Sequence, residues 1–153
     1  MIGSTTDRIE RQVEIAAPIE RVWKALTDHR EFGSWFLCRL DGPFVVGERT
    51  GGQILYPGYE HMRLDVAVVA MERPRRFAFR WHPGAPDPAL DVSKGPTTLV
   101  EFTLSEVAGG TLLQVCESGF DAIPPNRRDL AFRSNDAGWK QQMENVREYI
   151  ARG

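Results

Sequence analysis

The sequence predicts an α+β domain in which a curved antiparallel sheet wraps around a long C-terminal helix, with two short helices after the first strand. Three observations carry this. A strand pattern at the start is followed at once by a helical one. Strands and turns alone then fill residues 40–118. One apolar stripe at helical spacing closes the chain. Strands that follow one another without intervening helices pair antiparallel, because parallel pairs need long crossovers.

The first strand is "RIERQVEIAA", residues 8–17. Ile9, Val13 and Ile15 share one side with Arg11, and Glu10, Gln12 and Glu14 share the other. Such alternation marks a half-buried strand. Pro18 ends it and suits a first helical turn. In "PIERVWKALTD" the apolar Ile19, Val22, Trp23 and Leu26 fall at i, i+3, i+4 and i+7, one face of a helix. Glu20 stands near its N-terminus, where the helix dipole favours an acid. "REFGSWF", residues 30–36, reads as a second short helix, broken or bent at Gly33.

Beyond residue 40, Gly47, Gly51, Gly52 and Gly58 read as turns or bulges. Residues 61–72 are a strand whose two alternating sets are both apolar after residue 65, so its inward side stays open. Residues 75–82 place Phe77, Phe79 and Trp81 on one face. Residues 97–107 align Val100, Phe102 and Leu104, and residues 111–118 align Leu113, Val115 and Glu117. "EVAGGT" between these two is a tight hairpin. The segment "PGAPDPALDVSKGP", residues 83–96, is too long for an ordinary hairpin loop and reads either as a surface loop or as a flap over a pocket. A final helix from about residue 125 to 151 carries Trp139, Met143, Val146 and Ile150 at i, i+4, i+7 and i+11. It also holds Gly138, a residue that weakens helices. The two helices after the first strand would plug one end, and a cavity would remain where sheet and helix do not meet.

A chain of 153 residues can bury a core, and residues 1–153 are expected to form one domain. The net charge of −2 disfavours nucleic acid as a partner. The arginine groups "RPRR" and "NRR" read as solvated ends of elements. Residues 1–12 hold no apolar run of a signal peptide, and no stretch approaches the ~20 apolar residues of a membrane span. Cys38 and Cys116 are isolated, without ligand or disulfide spacing, and read as small buried hydrophobes. The expected location is the reducing cytoplasm.

"IAAPIERVWKALTDHREFGSWF", "GGQILYP", "MERPRRFAFRW", "GTLLQVCESGF" and "NDAGWKQQMENVREYI", in that order, resemble the START-related SRPBCC superfamily, whose helix-grip fold is that of the birch pollen allergen. Within it the chain is similar to the branch named after the activator of Hsp90 ATPase homologue. The resemblance covers nearly the whole chain. It implies a seven-stranded sheet around the last helix and a deep pocket for an apolar or amphipathic ligand. It implies no single activity, because this fold hosts several. It places Trp139 against the sheet at one end of the pocket, with Gly138 admitting a neighbouring segment to the helix backbone.

Catalytic signatures are sparse. His29, His61 and His82 have no metal-ligand spacing, no nucleophile elbow surrounds a serine, and no glycine-rich phosphate loop occurs, so no metal, cofactor or catalytic residue is assigned. Glu117 is the charge singled out. Alternation puts it beside Leu113 and Val115. It is then either a rim residue beyond a strand ending at 116, or a polar anchor in an apolar pocket with a pKa raised by burial. Arg63 and His61 are its candidate partners. The expected ligand-binding residues are Trp35, Phe36, Arg63, Phe79, Trp81, Phe102, Val115, Glu117, Phe120, Phe132, Trp139 and Met143.

The first functional reading is a binding protein for a small apolar or amphipathic molecule: a lipid, a polyketide-like metabolite or a xenobiotic. The second is a cyclase, dehydratase or hydrolase using Glu117 as acid or base. The third is a co-chaperone module. The relative that names the branch carries an added N-terminal domain for that role, whereas here the first strand begins almost at once. A homodimer is left open.

Overall fold

A computed structural model describes residues 7–83 and 95–153. The expected flap at residues 83–96 lies almost wholly outside them. In chain order the elements are β1 (Arg8–Ile15), α1 (Ile19–Thr27), α2 (His29–Phe36), β2 (Cys38–Leu40), β3 (Arg49–Ile54), β4 (Arg63–Glu72), β5 (Arg76–Trp81), β6 (Thr98–Val107), β7 (Gly110–Ser118), a 3₁₀ turn (Phe120–Ala122) and α3 (Pro125–Ala151). The seven strands form one antiparallel sheet in the order β1-β7-β6-β5-β4-β3-β2. One strand, two short helices, six further strands and one long helix is the order the residue patterns imply.

Alternation decides which side of each strand is buried. Ile9 and Ile15 of β1 are buried and the intervening glutamates are exposed. Arg11, on the same side, reaches α3 and donates two hydrogen bonds of 2.9 Å to Asp136. In β4 the side left open by the sequence is settled: Leu64, Val66, Val68 and Ala70 face inward. The β6–β7 hairpin turns at Gly109, whose φ is 83°. α3 lays Trp139, Met143, Val146 and Ile150 on the concave side of the sheet, all buried.

Three glycine expectations need correction. Gly33 does not break α2, which runs on to Phe36. Instead the Cys38 carbonyl oxygen lies 2.5 Å from where a Cβ on Gly33 would stand, so this glycine lets β2 cross close to the helix. Leu37, in the left-handed region at φ 65°, then ends α2. Gly51 and Gly52 are not turn residues but lie inside β3, tight against the backbones of β4 and β2.

The core is strongly aromatic. Phe77 and Phe102 stack with centroids 6.0 Å apart, Phe79 lies 6.2 Å from Phe102, and Phe32 of α2 meets Phe79 edge-on at 6.4 Å. The Trp35 indole N–H donates to the Ala25 carbonyl at 2.8 Å and ties α2 to α1. These rings fill the concavity below α1 and α2. Open space is left toward β3, β4 and the middle of α3. Among the described residues, no helix is long and apolar enough to cross a membrane.

Candidate functional site

A cavity of about 560 Å³ occupies that space, within the usual range for small-molecule sites. Ile54, Tyr56, Tyr59, Met62 and Leu64 wall it from β3, the following turn and β4. Phe36 contributes from the end of α2, and Trp81 and His82 from the end of β5. α3 presents Ser134, Asn135, Gly138, Gln141 and Gln142, positions that recur on one helical face, together with Trp139.

The most organised part of the wall is a pair of indoles. Trp81 and Trp139 stack with centroids 5.6 Å apart and planes 25° from parallel. Phe36 leans against both, at 5.9 and 6.2 Å. Behind the pair lies Glu117. Strand β7 keeps its alternation to Ser118, so Thr111, Leu113, Val115 and Glu117 all point inward and Glu117 is 0% exposed. The rim alternative is thereby excluded.

Glu117 takes five hydrogen bonds from four residues. The Trp81 indole N–H donates to Oε2 at 2.8 Å, and the Trp139 indole N–H donates to Oε1 at 2.8 Å. The Thr98 hydroxyl donates to Oε2 at 2.5 Å. The Asn135 amide donates to both oxygens, at 3.0 and 3.1 Å. Indole N–H groups only donate, so an acceptor-only carboxylate suits them. Burial pushes the Glu117 carboxyl above the usual carboxylate range, and the bonds from Thr98, Trp81, Trp139 and Asn135 pull against that rise. Each indole is thus fixed at its nitrogen and by its stacked neighbour.

The twelve sequence-predicted residues divide. Phe36, Arg63, Trp81 and Trp139 stand on the cavity wall. Glu117 stands immediately behind it, through its bonds to Trp81, Asn135 and Trp139. Trp35, Phe79, Phe102, Val115, Phe120 and Met143 are buried core residues off this wall, where ring-against-ring packing leaves no room. Phe132 is partly buried and packs edge-on against Phe120 at 5.4 Å, also off the wall. Arg63 and His61 are not partners of Glu117. Arg63 bonds Asp41 at 2.8 Å on the surface, and His61 is exposed. Gly138 admits no neighbouring segment, since a Cβ there meets nothing within 4 Å, and it borders the cavity instead.

The aliphatic and tyrosine side of the wall is not legible in the sequence, because it comes from residues 54–62, where no periodicity marks a face. Asn135 was within reach of the sequence, one helical turn before Trp139. The cysteines are not placed to act as nucleophiles. Burial pushes the Cys38 thiol up to about 12 and also raises that of Cys116, which is only half-buried. Nδ1 of His82 is buried at the cavity and has no hydrogen-bond partner among the described residues.

An antiparallel sheet folded about a terminal helix, with a ligand-sized cavity between them, defines the helix-grip class of the SRPBCC superfamily. The chain belongs to the family of activator of Hsp90 ATPase homolog 1-like proteins, whose model matches residues 16–151. No curated protein sequence matches it. Among solved structures it is similar to MLL2253 from Mesorhizobium loti, with 27% identity, TM-score 0.75, and coverage of 95% of this chain and 97% of that one. It is also similar to DynU16, from the dynemicin biosynthetic locus, with 27% identity and TM-score 0.74 over 95% of this chain. There the chain spans about half of its relative, 47% of DynU16. The Aha1 dimer from Colwellia psychrerythraea shares the fold, with 15% identity, TM-score 0.69, and coverage of 94% and 95%.

Proposed function

We propose that this chain binds a small apolar or aromatic molecule in the cavity between β3, β4 and α3. The observation that carries the reading is the indole pair, Trp81 stacked on Trp139, held rigid by a buried carboxylate on the wall of a ligand-sized space. Fixed aromatic walls favour binding because little side-chain freedom is lost when the ligand arrives. Nδ1 of His82, without a hydrogen-bond partner among the described residues, gives the same wall a polar atom for an amphipathic ligand. DynU16, a structural neighbour, comes from a biosynthetic locus, a setting in keeping with a small organic ligand.

The geometry favours binding over conversion at Glu117. Its two oxygens accept five hydrogen bonds and none of its surface is exposed, so a ligand in the cavity finds no free lone pair there. Glu117 acts on the site by positioning the indoles. Titration with a panel of fatty and aromatic molecules should change tryptophan emission saturably, with a negative heat-capacity change. Absence of saturable binding across the panel, or turnover that Glu117→Gln eliminates, would overturn the reading.

A further inference from the structure

The charges around the cavity are uneven in their compensation. Arg63 and Asp65 border it, but each is paired: Arg63 with Asp41 at 2.8 Å and Asp65 with Arg49 at 3.0 Å. Both pairs sit in solvent, with side-chain exposures of 52% to 70%, so salt screens them. Glu117 differs on both counts. It is wholly buried, and its partners among the described residues are four neutral donors, with no lysine, arginine or histidine in ion-pair reach. All four partners donate, which is the pattern an ionised carboxylate satisfies.

This charge bears on the cavity through the indoles. A ring face already carries the negative lobe of the aromatic quadrupole and attracts cations. An N–H that donates to an anion passes electron density back into its ring, and both stacked rings do so to the same carboxylate. The carboxylate's own field acts in the same sense across a low-dielectric wall. Neutral donors stabilise the anion without cancelling its charge.

We propose that this cavity selects planar aromatic cations over neutral and anionic aromatics of the same shape, with the Trp81–Trp139 stack as the contact surface and Glu117 as the counter-charge behind it. The proposal rests on the binding reading above and narrows it to a ligand class. Arg63 is the fixed cation on the wall that would oppose such a ligand, and its bond to Asp41 offsets it.

The test uses the intact protein and three tricyclic probes: N-methylacridinium as permanent cation, methylanthracene as its neutral counterpart and anthracene carboxylate as the anion. Tryptophan emission reports Kd for each. The cation should bind roughly tenfold or more tightly than the neutral probe, and the anion most weakly. In Glu117→Gln the ratio of cation to neutral affinity should fall to within about twofold of one. Should that variant fail to fold, salt decides on the wild-type protein. A preference set by a buried charge persists in about 0.5 M salt, whereas one set by Asp41 or Asp65 is screened away. Equal affinity for cation and neutral probe, or a preference that salt abolishes, overturns the assignment while leaving binding intact. Binding of none of the three overturns the binding reading with it.

Discussion

Gly138 offers a perturbation whose sign and size follow from its surroundings on α3. It sits midway along α3, and a Cβ built there meets no atom within 4 Å. Gly138→Ala therefore introduces no clash, and helix propensity alone decides the outcome. Replacing an interior helical glycine with alanine is worth about 0.8–1.0 kcal/mol. For a chain of this size that raises Tm by roughly 2–4 °C. Scanning calorimetry and urea unfolding should agree on the gain, with no change in m. A larger side chain at the same point tests the cavity. Gly138 shares its helical face with Ser134, Asn135, Gln141 and Gln142, all on the wall, so the ring in Gly138→Phe extends into the space. Phenylalanine is a better helix former than glycine, so the fold should persist while apolar ligands bind at least about tenfold more weakly, or 1.4 kcal/mol. A fall in Tm on Gly138→Ala would refute the open space around this residue. Unchanged binding in a folded Gly138→Phe would refute this cavity as the site.

Three further outcomes are expected. Trp81→Phe keeps a ring in the wall but removes one donor to Glu117, so it should weaken binding while the protein still unfolds cooperatively; undiminished affinity would remove the indole from the account. Glu117 has a folded-state pKa above its unfolded value, so its contribution to stability is full below the unfolded carboxylate range and is lost as pH rises through the raised value. The stability of wild type relative to Glu117→Gln should therefore decline from acid toward neutral pH, and a difference that is flat or rises would contradict the burial argument. Truncation before Trp139 strips Met143, Val146 and Ile150 from the concave face, and a sharp melt in that fragment would show that α3 is not what the sheet closes upon.

Elements with a regular period were legible in the sequence. Alternation in 111–118 put Glu117 on the inner face, and only the strand's length left its burial open. The stripe from Trp139 to Ile150 fixed which side of α3 meets the sheet. What escaped was set by tertiary packing. Phe79 and Phe102 look like pocket residues because they are aromatic and inward, yet Phe32 and Phe77 fill the space before them. Tyr56, Tyr59 and Met62 reach the cavity from a turn without periodicity. Gly33, Gly51 and Gly52 read as breaks because a sequence does not show which backbone passes close by. Arg63 and Glu117 share the neighbourhood of one cavity, but the nearer acid, Asp41, takes the arginine.

The central claim is that the stacked indoles are the contact surface for a small ligand, and their N–H resonances can report on it one by one. The chain has 4 tryptophans, each with its own indole signal in a nitrogen–proton correlation spectrum. Trp81 and Trp139 border the cavity, whereas Trp23 and Trp35 are buried off its wall. Titration with a planar aromatic ligand should move the Trp81 and Trp139 signals together along one saturation curve and leave those of Trp23 and Trp35 nearly fixed. Saturable binding that leaves Trp81 and Trp139 unmoved would contradict the account.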